Sequence, residues 1–142
     1  WKGKIQPGIS DEMVSTIDLA ASMAALAGMD LPDDGILDSF NVLDAFLGKR
    51  GAKGRKYIVL QDNGLRGNYG LRVGNWKLQR HDAKTMYNGD LSMNMWSVPR
   101  FSLFNLEEDI KEATDVSDQN PEVFDRLKNQ LQFIIDQGRT RP

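Results

Sequence analysis

Residues 57–80 read YIVLQDNGLRGNYGLRVGNWKLQR, and this stretch decides the fold. Tyr57-Ile58-Val59-Leu60 is a near-continuous apolar run, which reads as a central strand. Tyr69, Leu71 and Val73 alternate with small or polar residues, and so do Trp76 and Leu78, the period-2 pattern of half-buried strands. Gly74-Asn75 between them is a two-residue loop able to supply positive φ, a strong hairpin signal. Leu103-Phe104-Asn105-Leu106 adds a fourth short strand running into acidic residues. The pattern predicts a small antiparallel sheet of about four strands.

Outward from the sheet, Asn120-Pro121 opens a helix with a capping residue and a proline at the first helical position. Phe124, Leu127, Leu131, Ile134 and Ile135 form its apolar stripe, and Gly138 ends it. An amphipathic helix laid across an antiparallel sheet is an α+β arrangement. Residues 81–100 are polar, contain methionines and read as a long irregular insertion of functional size. Met86, Met93, Met95 and Trp96 within it read as a packing patch or as part of a substrate wall.

Upstream, Ser10 offers a hydroxyl to orphan amides, and Asp11 and Glu12 place negative charge on a first turn. A helix is therefore expected from residue 11 to Gly28, with Met13, Ile17, Ala20 or Ala21, and Ala24 facing inward and Val14 and Leu26 widening the stripe. Its alanine-rich face suits close packing on a larger body. A second helical candidate spans Leu37 to Leu47. Residues 48–55, with three glycines and four cations, read as a linker. The expected domains are 1–50, the helical tail of a larger α/β domain, and 51–142, a small α+β subdomain.

The 142 residues are 40% apolar and 27% charged, ordinary globular composition. The formal net charge of −2 argues against a nucleic-acid binder, which would show a basic face. No apolar run approaches the ~18 residues of a membrane span, and no secretory signal is visible. Cysteine is absent, which excludes disulfides, thiolate nucleophiles and cysteine-ligated metal. The start at Trp1, without an initiator methionine, suggests a processed or excised end.

His81 is the single histidine. Beside Asp82 at a strand end it could orient an anion or shuttle a proton, or simply be an exposed loop residue. Arg80, His81 and Lys84, with Arg66 and Arg72 nearby in sequence, could form a cationic lip suited to sulfate or carboxylate. Edge cations also block aggregation, so both roles stay open. Glu107-Glu108-Asp109 and Asp33-Asp34 lack the spacing of a calcium loop. No P-loop, dinucleotide fingerprint, Ser-His-Asp order or zinc spacing occurs.

Several segments, in order, resemble the C-terminal part of the sulfatase family. Trp1-Lys2-Gly3-Lys4-Ile5-Gln6-Pro7-Gly8 is similar to the family's W-P-G-K-I-x-P-G strand end. Val14-Ser15-Thr16-Ile17-Asp18-Leu19 and Ala24-Ala25-Leu26-Ala27-Gly28 resemble its V-S-x-I-D-L and A-A-L-A-G segments. Leu37-Asp38-Ser39-Phe40-Asn41 stands where the family has L-D-G-x-S, and Leu47-Gly48 where it has L-L-G. Leu71-Arg72-Val73-Gly74-Asn75-Trp76-Lys77-Leu78 and Leu103-Phe104-Asn105-Leu106 complete the series. The chain departs from the pattern at Lys2, which replaces a proline, at Ala21-Ser22, which replaces Pro-Thr, and at Ser39, which replaces glycine. Ser97-Val98-Pro99-Arg100 mimics the family's nucleophile motif, but its Arg comes one position early and near the wrong end of the chain, a coincidence.

The resemblance implies a parent arylsulfatase-like enzyme with calcium and a formylglycine, both carried by sequence ahead of residue 1. This chain then holds no catalytic or metal residue. It packs on the N-terminal catalytic domain and brings His81, Arg80 and Lys84 towards a sulfated small molecule or glycan. The parent would be periplasmic or extracellular. The alternative is an autonomous module that binds sulfated or acidic glycans, and a third possibility is a purely structural cover for the cleft.

Overall fold

The computed structural model describes residues 1–62, 68–82 and 84–141. Its elements, in order, are α1 (Asp18–Leu26), α2 (Leu43–Phe46), β1 (Tyr57–Gln61), β2 (Tyr69–Val73), β3 (Trp76–Arg80), β4 (Thr85–Asn88), β5 (Met93–Ser97), β6 (Phe101–Asn105) and α3 (Pro121–Gln137). The backbone falls into two compact units, residues 1–58 with 134–142, and residues 59–133.

The second unit holds most of the sheet, whose order is β1-β2-β3-β6, so β1, read as a central strand, lies at its edge. Strand β3 pairs antiparallel with both β2 and β6. The connection from β1 to β2, residues 62–68, is too short for a parallel crossover, so this pair is antiparallel as well. Gly74 takes φ +58° at the first turn position, the requirement that made the hairpin readable in sequence. Register places Leu71 opposite Leu78 and Leu78 opposite Leu103, and all three are fully buried. Helix α3 crosses this face. Phe124 meets Phe101 edge-on at 6.1 Å, and Leu127 and Leu131 are buried. The expected α+β fold is the observed one.

Strand β6 lies at the border of the sheet, where its outward backbone groups would be orphaned. They are taken up locally. Asp115 Oδ1 accepts the Leu103 N–H at 3.1 Å, and the Val116 N–H donates to the Leu103 carbonyl at 2.8 Å. Burial pushes the Asp115 carboxyl up, but the N–H groups of Leu103 and Ser117 outweigh it and hold it below the ordinary aspartate range.

The irregular insertion expected over 81–100 is instead largely a hairpin. Strands β4 and β5 pair antiparallel with a register irregularity between Thr85 and Tyr87. The bulge breaks the strict alternation that would have betrayed the strands in sequence. Asn88 Oδ1 accepts the Leu91 N–H, and Ser92 turns the chain at φ +50°.

The first unit departs furthest from expectation. Helix α1 begins at Asp18, not at residue 11, because the segment before it is held by other partners. Glu12 accepts the Gly54 N–H at 2.7 Å and pairs with Lys53, and the Arg55 N–H donates to the Met13 carbonyl at 2.7 Å. A Cβ on Gly54 would stand 2.2 Å from the Met13 carbonyl oxygen, so only glycine permits the approach. The second helix is also shorter, confined to Leu43–Phe46.

Of the expected inward stripe only Ala21 is fully buried. Asp18, Ala21 and Ser22 are buried, whereas Ile17, Leu19, Met23 and Leu26 are exposed. Arg55 lies against Asp18 with Nη2 2.5 Å from Oδ1 and Nε 2.7 Å from Oδ2, and both side chains are almost wholly buried. The same carboxylate accepts the Phe40 and Ser15 N–H groups, each at 2.9 Å. Arg55 also donates to the Asp38 carbonyl and lies 4.4 Å from the Phe40 ring centroid. The Ser22 hydroxyl accepts from Val42 N–H, and the Ser39 hydroxyl from Ala21 N–H. Asp38 in turn binds Thr140 through its N–H and hydroxyl, fastening the C-terminal tail.

Burial pushes the Asp18 carboxyl up. The Arg55 guanidinium and then the Phe40 and Ser15 N–H groups outweigh that effect, leaving it below its ordinary value of 3.8. A carboxyl lowered on folding stabilises the fold fully above its unfolded value and loses that contribution as pH falls through the lowered value. Acid titration followed by circular dichroism should therefore show wild-type stability declining below about pH 3.8, with Asp18→Asn lacking this component. Arg55→Met should cost about 3–5 kcal/mol in urea denaturation, since it strands a buried carboxylate. Gly54→Ala should cost about 1–3 kcal/mol in the same measurement.

Candidate functional site

Charged side chains gather where β3 passes into the β4–β5 hairpin. Arg80, the last residue of β3, sits opposite Tyr69 and Phe101 in register, with its guanidinium 5.8 Å from the Tyr69 ring centroid. Asp82 Oδ1 lies 3.2 Å from Arg80 Nη2 and 3.3 Å from Arg100 Nη2. The Asp82 N–H donates to Asn68 Oδ1 at 2.8 Å, and Asn68 Nδ2 donates to Asp62 Oδ2 at 2.6 Å. Arg80 Nε is buried and has no acceptor among the described residues.

His81 continues the ladder, its N–H donating to the Arg100 carbonyl at 2.8 Å. Strand alternation puts its ring on the face opposite the Arg80 side chain. Lys84 is exposed, and its carbonyl accepts the Val98 N–H at 3.1 Å. Neither the His81 ring nor the Lys84 ammonium makes a hydrogen bond or ion pair among the described residues. Arg72 stands opposite Lys77, on the other face of the sheet from Arg80, with Nε bound to the Gly74 carbonyl. Arg66 lies outside the described residues. The cations the structure brings together are thus Arg80 and Arg100, through Asp82.

Arg100 was readable only through register. Pairing Leu103 with Leu78 puts Arg100 opposite His81, and no local motif marks it. The planar N–H donors of a guanidinium suit sulfate or carboxylate oxygens. Beyond it, β5 is exposed along its length, Met93, Met95 and Trp96 included.

No protein-family model matches the chain. An N-acetylgalactosamine-6-O-sulfatase of Bacteroides thetaiotaomicron is 32% identical over 135 residues, covering 94% of this chain and 26% of that protein. Arylsulfatase G of Rattus norvegicus is 25% identical over 142 residues, 96% of this chain and 27% of its own length. A solved Bacteroides thetaiotaomicron structure, from work on the metabolism of multiple glycosaminoglycans, superposes with a TM-score of 0.82 at 32% identity over 94% of this chain and 27% of that one.

The chain belongs to the sulfatase family. It spans about a quarter of the length of these curated sulfatases, as a C-terminal portion would. Among the described residues no group of three or more His, Cys, Asp or Glu side chains could hold a metal. No helix among the described residues is long and apolar enough to cross a membrane. A concavity of about 630 Å³ in the first unit, lined by Pro7, Glu12, Phe46 and Lys53 among others, brings no further catalytic group together.

Proposed function

We propose that this chain is the C-terminal portion of a sulfatase that hydrolyses sulfate esters, that it packs on the N-terminal catalytic domain of the same protein, and that it is inactive alone. The observation that carries this is a match running through 94% of the chain but only 26% of a protein named as a sulfatase. Calcium and the formylglycine nucleophile belong, in this proposal, to the N-terminal domain, and export to the periplasm or beyond follows the family.

Packing on that domain is supported by helix α1. Leu19, Met23 and Leu26 recur at helical spacing on one exposed stripe, flanked by the buried Asp18, Ala21 and Ser22. Apolar side chains lined up on the outer face of a helix mark a surface made to be covered. The side chains at the base of the β4–β5 hairpin, His81, Arg80 and Lys84, are proposed to contact the substrate, a sulfated small molecule or glycan. Trp96 and Met93, exposed on the hairpin, favour a second reading, an autonomous module that holds sulfated glycans.

Sulfate release should be seen with the full-length protein and not with the 142-residue chain; robust turnover by the chain alone would refute the proposal. Met23→Asp should destabilise the full-length protein by about 2 kcal/mol or more in a thermal melt if the stripe is covered. No change would count against docking. His81→Ala in the full-length enzyme should lower kcat/KM selectively across a panel of sulfate esters, and an unchanged panel would remove His81 from the site.

A further inference from the structure

The loop that closes the β4–β5 hairpin opens on an Asn-Gly dipeptide, Asn88-Gly89. Asn88 ends β4 opposite Met93, and residues 89–92 turn back between them, with the Ser92 N–H donating to the Gly89 carbonyl at 3.3 Å. Asparagine side chains are among the thermolabile groups of a protein, and three features of this turn bear on how Asn88 reacts. Its side-chain carbonyl accepts the Leu91 N–H at 3.0 Å, which draws electron density from Cγ and opens that carbon to a nucleophile. The adjacent nitrogen, the Gly89 N–H, donates to no acceptor among the described residues, and Gly89 is exposed to water. A Cβ built at Gly89 would meet no atom within 4 Å, so neither a side chain nor a neighbour crowds the approach.

From this geometry we infer that Asn88 is a modification site, converted without any enzyme to aspartate and isoaspartate through a cyclic imide with Gly89. The Gly89 nitrogen gives its proton to water and attacks Asn88 Cγ, closing a succinimide ring. The Cγ–Nδ2 bond breaks, and Nδ2 takes up a proton and leaves as ammonia. Water then opens the imide. Attack at Cγ restores the main chain with an aspartate, and attack at the main-chain carbonyl carbon leaves the chain running through Cβ and Cγ as isoaspartate. One water is consumed, one ammonia is released, and nothing is oxidised or reduced. The Leu91 N–H stands where negative charge builds on Oδ1 during the attack, so the folded turn assists the step. Both products add a negative charge to the hairpin. Isoaspartate also lengthens the backbone just where Asn88 pairs with Met93, so the arm that carries Met93, Met95 and Trp96 loses its register. The inference stands apart from the sulfatase reading.

The test incubates the full-length protein for days in mildly alkaline buffer, beside a synthetic peptide of residues 85–100. Both are followed by mass spectrometry, the protein after cleavage at lysine and arginine. Residues 85–100 form one fragment, in which Asn94, followed by Met95, is an internal comparison; Asn63-Gly64 falls in another fragment. The expected result is exchange of NH2 for OH at Asn88 and not at Asn94, with isoaspartate beside aspartate, at a rate in the folded protein equal to or above that of the peptide. An unmodified Asn88, or a folded protein slower than the peptide, overturns the inference, since the turn would then protect the residue. Gly89→Ala should slow the conversion about tenfold by crowding the attacking nitrogen. Gly89 lies outside the left-handed region and faces open space, so this variant should keep the wild-type melting temperature. An unchanged rate in Gly89→Ala would remove the Gly89 nitrogen as the nucleophile and overturn the mechanism.

Discussion

The buried pair of Asp18 and Arg55 is the contact on which the first unit depends. A carboxylate removed from water costs several kcal/mol unless its oxygens are filled, and here Arg55 and two backbone N–H groups fill them. That requirement fixes the geometry around it. Helix α1 must turn its polar side inward, the chain at residue 40 must run past the helix start, and residue 55 must return beside it. Gly54 then lies against the Met13 carbonyl because no bulkier residue fits between Arg55 and its partner strand of backbone.

The second unit is organised by different physics. A row of three leucines, one from each of β2, β3 and β6, forms its centre under α3. Among the described residues no fully buried ion pair lies there; the two-residue turn at Gly74 sets the register. On the opposite face Lys77 and Gln79 both bind Glu112, which holds the loop after β6 against the sheet. This unit thus tolerates a polar exit from β3, and the cluster of Arg80, Asp82 and Arg100 occupies that exit.

What could be read from residues alone follows from the range of each interaction. Strands β1, β2, β3 and β6 and helix α3 declare themselves because their signals are local: alternation, a Gly-Asn turn, a proline at a helix start. The orientation of α1 does not. Its apolar stripe points outward because the counter-charge for Asp18 stands 37 residues away, in a stretch of glycines and cations that reads as a linker. The early part of the expected helix is lost to the same distant partners, since Glu12 and Met13 bind residues 53–55. At the candidate site, Arg80 and His81 were visible as charges at a strand end. Arg100 was not, because only the pairing of β6 with β3 carries it there. The family resemblance, resting on ordered short motifs, pointed to the fold that the related structures share.

Ser39 and Ala21, both departures from the family's sequence pattern, turn out to bond to each other: the Ser39 hydroxyl accepts the Ala21 amide in a buried position. Proline at 21 has no such amide, and glycine at 39 has no such oxygen. Either reversion made by itself would strand a polar atom out of reach of water. The two sites are therefore best regarded as one inherited unit, and ancestral reconstructions or chimaeras that swap them singly would meet an unstable intermediate absent from both parents.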